Sequence, residues 1–250
     1  HAHLYLSRRA AALLGKQPSE CNLVTIYLDR GVSLCAIRNG ISIDTSMGMT
    51  PLEGAVMNTR CGDIDPGIIS FEMKRGNLSA HEMDSILNQK SGILGITGKH
   101  YGRKLLIQEA LDGNERCALA LKIETYRLKK YIGSYCAAVG PLDGVVFSHG
   151  SGNDDWYVRQ LTMEGMDIFG MQLDVEKNKA PSSSDREDII SVAGSPTGIF
   201  IIPSDEQLAF AEDVDSILSD GCIDHVRHAY TFSQPGFVPN IFTEDQYLRG

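Results

Sequence analysis

Residues 23–44 constrain the fold more than any other stretch. Leu23-Val24-Thr25-Ile26-Tyr27-Leu28 is rich in β-branched residues and reads as a strand. Val32–Ile37 alternates small and apolar residues, and Ile41–Asp44 follows as a third short run. Between the last two stands Asn39-Gly40, the dipeptide that a type I′ turn selects because both its central residues need φ > 0. The first two are joined by a short Asp29-Arg30-Gly31 turn. Consecutive strands with such short connections pair antiparallel, so the chain carries a three-strand meander.

Around the meander the hydrophobic period changes. His3–Leu14 reads as a helix, with Leu4, Leu6, Ala10 and Leu14 apolar and Gly15 as its stop. Ser79–Lys90 opens with an N-cap serine and Glu82 three residues on, a capping box. Glu115–Gly140 is a long amphipathic run, with Leu119, Ile123, Tyr126, Leu128, Tyr131 and Ile132 at helical spacing. Leu142–Ser148 is a buried strand that enters a glycine-containing loop, and Trp156–Phe169 is a further helix. Gly198–Pro203 is a strand followed at once by a helix through Asp215, with acids in its first turn. Residues 179–196 read as a loop, and from Gly221 periodicity stops, leaving 221–250 as an irregular tail. A meander followed by alternating helices and strands makes an α/β fold.

Charge and composition narrow the function. The net charge of −9 over 250 residues argues against a general nucleic-acid binder. No apolar run nears the roughly 20 residues of a membrane span, and no signal-peptide pattern opens the chain. Six scattered cysteines without CxxC spacing argue against structural zinc and read as reduced and cytoplasmic. His81, His100, His149, His225 and His228 share no ligand spacing, and the methionines read as packing residues. The first residue is His1, not Met, so the expectation is a processed or excised piece.

One segment is far more specific than periodicity. Asp44-Thr45-Ser46-Met47-Gly48-Met49-Thr50-Pro51-Leu52-Glu53-Gly54 is followed by Thr59-Arg60-Cys61-Gly62-Asp63-Ile64-Asp65-Pro66-Gly67. The pair closely resembles the DTSMG-TPLEG…TRSGDIDPG signature of the acetate kinases. Ser91–Gly98 is similar to the family's KSGLLGISG, Tyr126–Tyr135 to its YRIKKYIGAY, and Ile202–Glu206 to its IPT-N/D-E. Leu142–Phe147 and Gly150-Ser151-Gly152 track its strand and GIGEN loop. His3–Ser7 resembles the second half of its HGTSHRYVS motif. The resemblance covers about residues 3–215. It implies the C-terminal lobe of the sugar kinase/Hsp70/actin (ribonuclease H-like) fold, here residues 1–220, the nucleotide-side domain. It also implies an N-terminal lobe and a further motif histidine preceding His1.

The resemblance implies phosphoryl transfer from ATP to acetate, with Mg²⁺. That chemistry asks a protein chiefly for positioning and charge neutralisation. Arg60 is the candidate catalytic residue, because a guanidinium fork matches phosphoryl oxygens bidentately. Asn58 and His3 are substrate-binding candidates. Gly31, Ser33, Gly98, Gly150, Gly152, Asn153 and Asp154 are implied on the nucleotide side, and Glu206 as the Mg²⁺-linked carboxylate, although a first-turn acid would also suit a helix dipole. Asp44 and Asp63 fit either turn chemistry or the orientation of Arg60. The chain departs from the family's H-x-G-N-G-x-S loop: Tyr27, Asp29 and Arg30 stand where His, Gly and Asn are usual, and Gly102 replaces an Asp.

Four readings therefore stand. They are an acetate kinase-type phosphotransferase, a propionate or butyrate kinase, a pyrophosphate-dependent variant, and a catalytically degenerate lobe with a structural or regulatory role. The expected partners are a short carboxylate, ATP or ADP, the missing lobe and a second copy in a homodimer, with Glu115–Gly140 a candidate for burial between copies. Neither nucleic acid nor membrane is expected.

Overall fold

The computed structural model describes residues 1–148, 155–181 and 187–239. Its centre is a six-stranded sheet of β1 (Leu23–Leu28), β2 (Val32–Arg38), β3 (Ile41–Thr45), β4 (Gly144–Ser148), β5 (Asp188–Ile189) and β6 (Gly198–Ile202), in the order β3-β2-β1-β4-β6-β5. The meander is antiparallel, β1, β4 and β6 run parallel, and β5 closes the far edge antiparallel. Asn39 and Gly40 take φ of 52° and 74°, the conformation that the Asn-Gly pair predicts. The α/β fold expected from the sequence is present.

The two faces of the sheet carry separate cores. Val24, Ile26 and Leu28 of β1, with Val32, Leu34 and Ala36 of β2, face the long helix α6 (Glu115–Val139). Alternation sends Leu23, Cys35 and Ile37 to the opposite face. There they meet Tyr5, Leu6 and Ala10 of α1 (Ala2–Leu14) and Ala209 of α9 (Glu206–Asp220). Thr25, Tyr27 and Ser33 fall on this same α1-facing side, because Thr25 pairs Cys35 and Tyr27 pairs Ser33.

Residues 221–239 add a 3-10 turn, Thr231–Ser233, and lay Tyr230 and Phe232 fully buried against α1. Arg9 ties this segment down, donating to both carboxylate oxygens of Glu187 and to the Phe232 and Gln234 carbonyls.

Several sequence expectations need correction. Trp156–Phe169 is not one helix: α7 (Trp156–Met163) stops before Gly165, whose φ of 73° lets the chain turn into a separate 3-10 segment. Residues 179–196 are not all loop, since they contribute β5 to the sheet edge. The buried face of α6 is Cys117, Leu121, Leu128, Ile132, Tyr135 and Val139, whereas Leu119, Ile123 and Tyr126 are exposed. Met49 is fully exposed rather than packed. Four further helices frame the site: α2 (Gly67–Gly76), α3 (Ala80–Gln89), α4 (Gly92–Thr97) and α5 (Arg103–Leu111); α8 (Val175–Lys179) lies beyond α7.

Candidate active site

The parallel strands β1, β4 and β6 end on one edge of the sheet, the position where α/β folds place ligands. The β1–β2 turn leaves this edge, and Glu206 opens α9 four residues beyond the end of β6. On the α1-facing side, His3 Nδ1 lies 2.7 Å from Thr25 Oγ1 and its Nε2 2.9 Å from Ser33 Oγ. In neutral imidazole one ring nitrogen donates and the other accepts. Burial is the largest cause pulling the His3 pKa from 6.5 down to about 4. At neutral pH it is an uncharged bridge between helix and sheet.

Two residues nearer the edge, the Tyr27 phenol lies near the Glu206 carboxylate, close enough to feel its charge. Burial first, then the nearby Glu206 and Asp29 carboxylates, push the Tyr27 pKa above its usual value. Two carboxylates thus bear on one phenol. Asp205 caps α9, accepting from Leu208 N at 2.9 Å, so Glu206 is not needed for that bond.

Arg60 approaches from a different element. A Cβ added at Gly31 would lie 3.3 Å from Arg60 Nη1, so the guanidinium rests on the hairpin tip. That Nη1 donates to the Pro51 carbonyl at 3.2 Å and to Met57 Sδ at 3.4 Å. Among the described residues no carboxylate lies within ion-pair distance of Arg60. Its fork therefore retains donors for an incoming anion.

The loop that carries Arg60 is held by backbone. Ser91 N, Ile93 N and Leu94 N at the start of α4 donate to the carbonyls of Thr59, Met57 and Asn58, each at 2.9 Å. Cys61 N donates to Leu87 O, and Thr59 Oγ1 to Asn88 O. The first N–H groups of α4 thus find partners in the loop rather than in a ligand. Gly92 makes this fit possible: its φ is 60°, and a Cβ there would stand 2.1 Å from Met57 O and 2.6 Å from Arg60 O. Asn58 is half-buried in the same loop.

Asp63 lies away from Arg60 in its bonding. It accepts from Gly54 N and Tyr131 OH, both at 2.8 Å, and pairs with Arg127 at 2.9 Å. It anchors the turn to α6, which is the turn-chemistry alternative. Gly98 is the left-handed C-cap of α4, its N–H bonded to Leu94 O, at the opposite end of that helix from Gly92. Gly150, Gly152, Asn153 and Asp154 lie outside the described residues, as does His149.

Sequence reasoning missed the network behind that loop. Arg103 makes a fork to both oxygens of the fully buried Glu124, at 2.6 and 2.7 Å, and its Nε reaches Asp155 at 2.8 Å. Burial alone would lower its pKa; the two acids override it and hold the charge firmly in place. The signal was a glutamate on the apolar face of a long amphipathic helix, which demands a cation.

Comparisons with known proteins give the chain's family. Residues 1–212 match the family model described as the Acetokinase family. The chain is 54% identical over 237 residues to the acetate kinase of Geobacter sulfurreducens, covering 95% of this chain and 56% of that one. Among solved structures it is similar to acetate kinase from Porphyromonas gingivalis (TM-score 0.81, 36% identity, 87% of this chain and 54% of that one). It is also similar to a propionate kinase from Francisella tularensis (TM-score 0.77, 34% identity, 84% and 53%). The chain spans about half the length of the relatives it matches. No helix among the described residues is long and apolar enough to cross a membrane. With the family model matched over residues 1–212 and more than half of the residues identical to a relative across nearly the whole chain, the chain belongs to the acetokinase family.

Proposed function

We propose that the intact protein containing this chain transfers a phosphoryl group reversibly between ATP and acetate, giving ADP and acetyl phosphate. The observation that carries this reading is Arg60, fixed on the Gly31 turn with no carboxylate partner among the described residues. A developing planar phosphoryl group spreads negative charge over its equatorial oxygens, and a pre-positioned guanidinium neutralises it without reorganising. The Gly31 turn keeps the backbone low enough for phosphate to approach, and Ser33 stands behind it on His3.

Glu206 is the residue that would hold Mg²⁺. No group of three potential metal ligands occurs among the described residues. A single strand-end carboxylate, with Asp29 acting on the same phenol, fits an ion that keeps its waters and binds largely through substrate phosphates. Bound there, Mg²⁺ supplies charge neutralisation at the phosphate oxygens. Asn58, Gly98, Gly150, Gly152, Asn153 and Asp154 complete the proposed substrate and nucleotide contacts.

The remaining half of the relatives' length supports a second lobe that completes the site. The similarity to a propionate kinase favours one alternative, a longer acyl chain. The exposed Leu119, Ile123 and Tyr126, spaced along one side of α6, support a homodimer through this lobe.

The test is acyl phosphate formation, trapped as hydroxamate, by the intact protein given Mg-ATP with acetate, propionate or butyrate. Metal-dependent product with acetate is expected. Product with propionate alone shifts the reading to the longer substrate, and no product with any acid refutes it.

A further inference from the structure

Away from Arg60, at the C-terminal end of α1, a cavity of about 360 Å³ is lined by Arg8, Lys16, Arg227 and His228 together with Ser19 and Ser233, and by no acidic residue. Lys16 is paired with Asp143 at 2.5 Å, and Arg227 with Asp224 at 3.6 Å. Among the described residues Arg8 has no such partner. It is 5% exposed, and one guanidinium nitrogen, Nη2, donates to the His225 carbonyl at 2.5 Å. Its Nε is buried with no hydrogen-bond partner, and so is the Ser233 hydroxyl in the same wall. The titratable groups that act on Arg8 are Tyr230 and Cys21, both pushed toward the neutral form by burial. A buried guanidinium without a counter-charge is costly, and an anion beside it removes that cost.

The surroundings admit one. Two of the last carbonyls of α1 are already satisfied, Ala12 O by Gly15 N and Ala11 O by Lys16 N, so these two do not oppose an anion as bare acceptors would. Arg8 also borders a second cavity of about 500 Å³, but that one is mostly apolar and contains the Asp213 carboxylate. An anion therefore belongs on the α1-terminal side.

We propose that this cavity is a binding site for a small oxyanion of the phosphate class, with Arg8 as its central cation and Arg227 and His228 at its rim. The inference is independent of the role given to Arg60. The probe is inorganic phosphate, titrated calorimetrically into the intact protein at constant ionic strength. The expected result is one-to-one binding with a dissociation constant of about 1 mM or tighter. Binding survives Arg60→Ala, weakens at least about tenfold in Arg8→Gln, and weakens less in Arg227→Gln. Should Arg8→Gln fail to fold, Arg227→Gln and the position of selenate in soaked crystals carry the test. A sugar phosphate that binds more tightly than free phosphate identifies a larger natural ligand, and equal binding identifies the free ion. Either result supports the site. Absence of binding up to about 10 mM overturns the proposal. So does binding that vanishes in Arg60→Ala and persists in Arg227→Gln, or selenate found only elsewhere.

Discussion

Gly92→Ala is the sharpest perturbation of the scaffold behind Arg60. The methyl group would stand 2.1 Å from Met57 O and 2.6 Å from Arg60 O, where ordinary contact needs more than 3 Å. Backbone must yield by about 1 Å, because both neighbours are carbonyls and not flexible side chains. Alanine at a φ of 60° adds about 1–2 kcal/mol of left-handed strain. Displacing the loop weakens the bonds from Ile93 N to Met57 O and from Leu94 N to Asn58 O, at about 0.5–1.5 kcal/mol each. The expected destabilisation is about 3–4 kcal/mol, read from urea unfolding of the intact protein. Gly165→Ala is the matched control: φ is 73°, but nothing lies within 4 Å of the added methyl, so only the strain of about 1–2 kcal/mol remains. In the surviving folded fraction, displacing Arg60 by about 1 Å lowers turnover by on the order of 100-fold in Gly92→Ala and leaves it unchanged in Gly165→Ala. Equal losses of stability in the two variants, or full turnover in Gly92→Ala, would refute the claim that α4 buttresses the arginine loop.

Other consequences are equally direct. Tyr27→Phe removes the phenol that lies near Glu206, and the Mg²⁺ dependence of turnover is expected to shift; an unchanged metal titration would count against that contact. His3 has its pKa lowered to about 4 from 6.5, so the unfolded chain binds the proton more readily. Stability from this residue is present above pH 6.5 and is lost as pH falls toward 4, by up to about 3 kcal/mol at roughly 1.4 kcal/mol per unit. His3→Gln should flatten that slope in a pH series of urea melts. Asp63→Asn breaks the pair with Arg127, and about 1–3 kcal/mol of stability is expected to go with it. Leu119→Glu places a charge on the exposed side of α6, and sedimentation should then show the intact protein moving from dimer to monomer.

Much of this arrangement is legible in the sequence because local chemistry decides it. The Asn39-Gly40 turn, the Ser79–Glu82 capping box and the alternation in β1 and β2 each follow from one or two residues. The short helices do not. α4 has six residues and opens on a left-handed glycine, and its role depends on carbonyls about thirty residues earlier in the chain. The Gly165 break in α7 is a single residue, too little to disturb a hydrophobic period. Within the site, the Arg60 and Gly31 motifs stand out, but their contact does not, since it joins a loop to a hairpin tip. The approach of Tyr27 to Glu206 needs the order β1-β4-β6, which only the parallel pairing of distant strands supplies. Tyr27 read as a departure from a motif; in the fold it lies beside the strand-end glutamate.

The central claim is that Arg60 supplies the charge neutralisation for phosphoryl transfer. Acetyl phosphate formation by the intact protein, wild type against Arg60→Ala and Arg60→Lys, tests it most directly. A fall in kcat of at least about 100-fold is expected in both variants, because lysine cannot form the bidentate fork, with unfolding free energy within about 0.5 kcal/mol of wild type. A variant that folds as well as the wild type and keeps its turnover would contradict it.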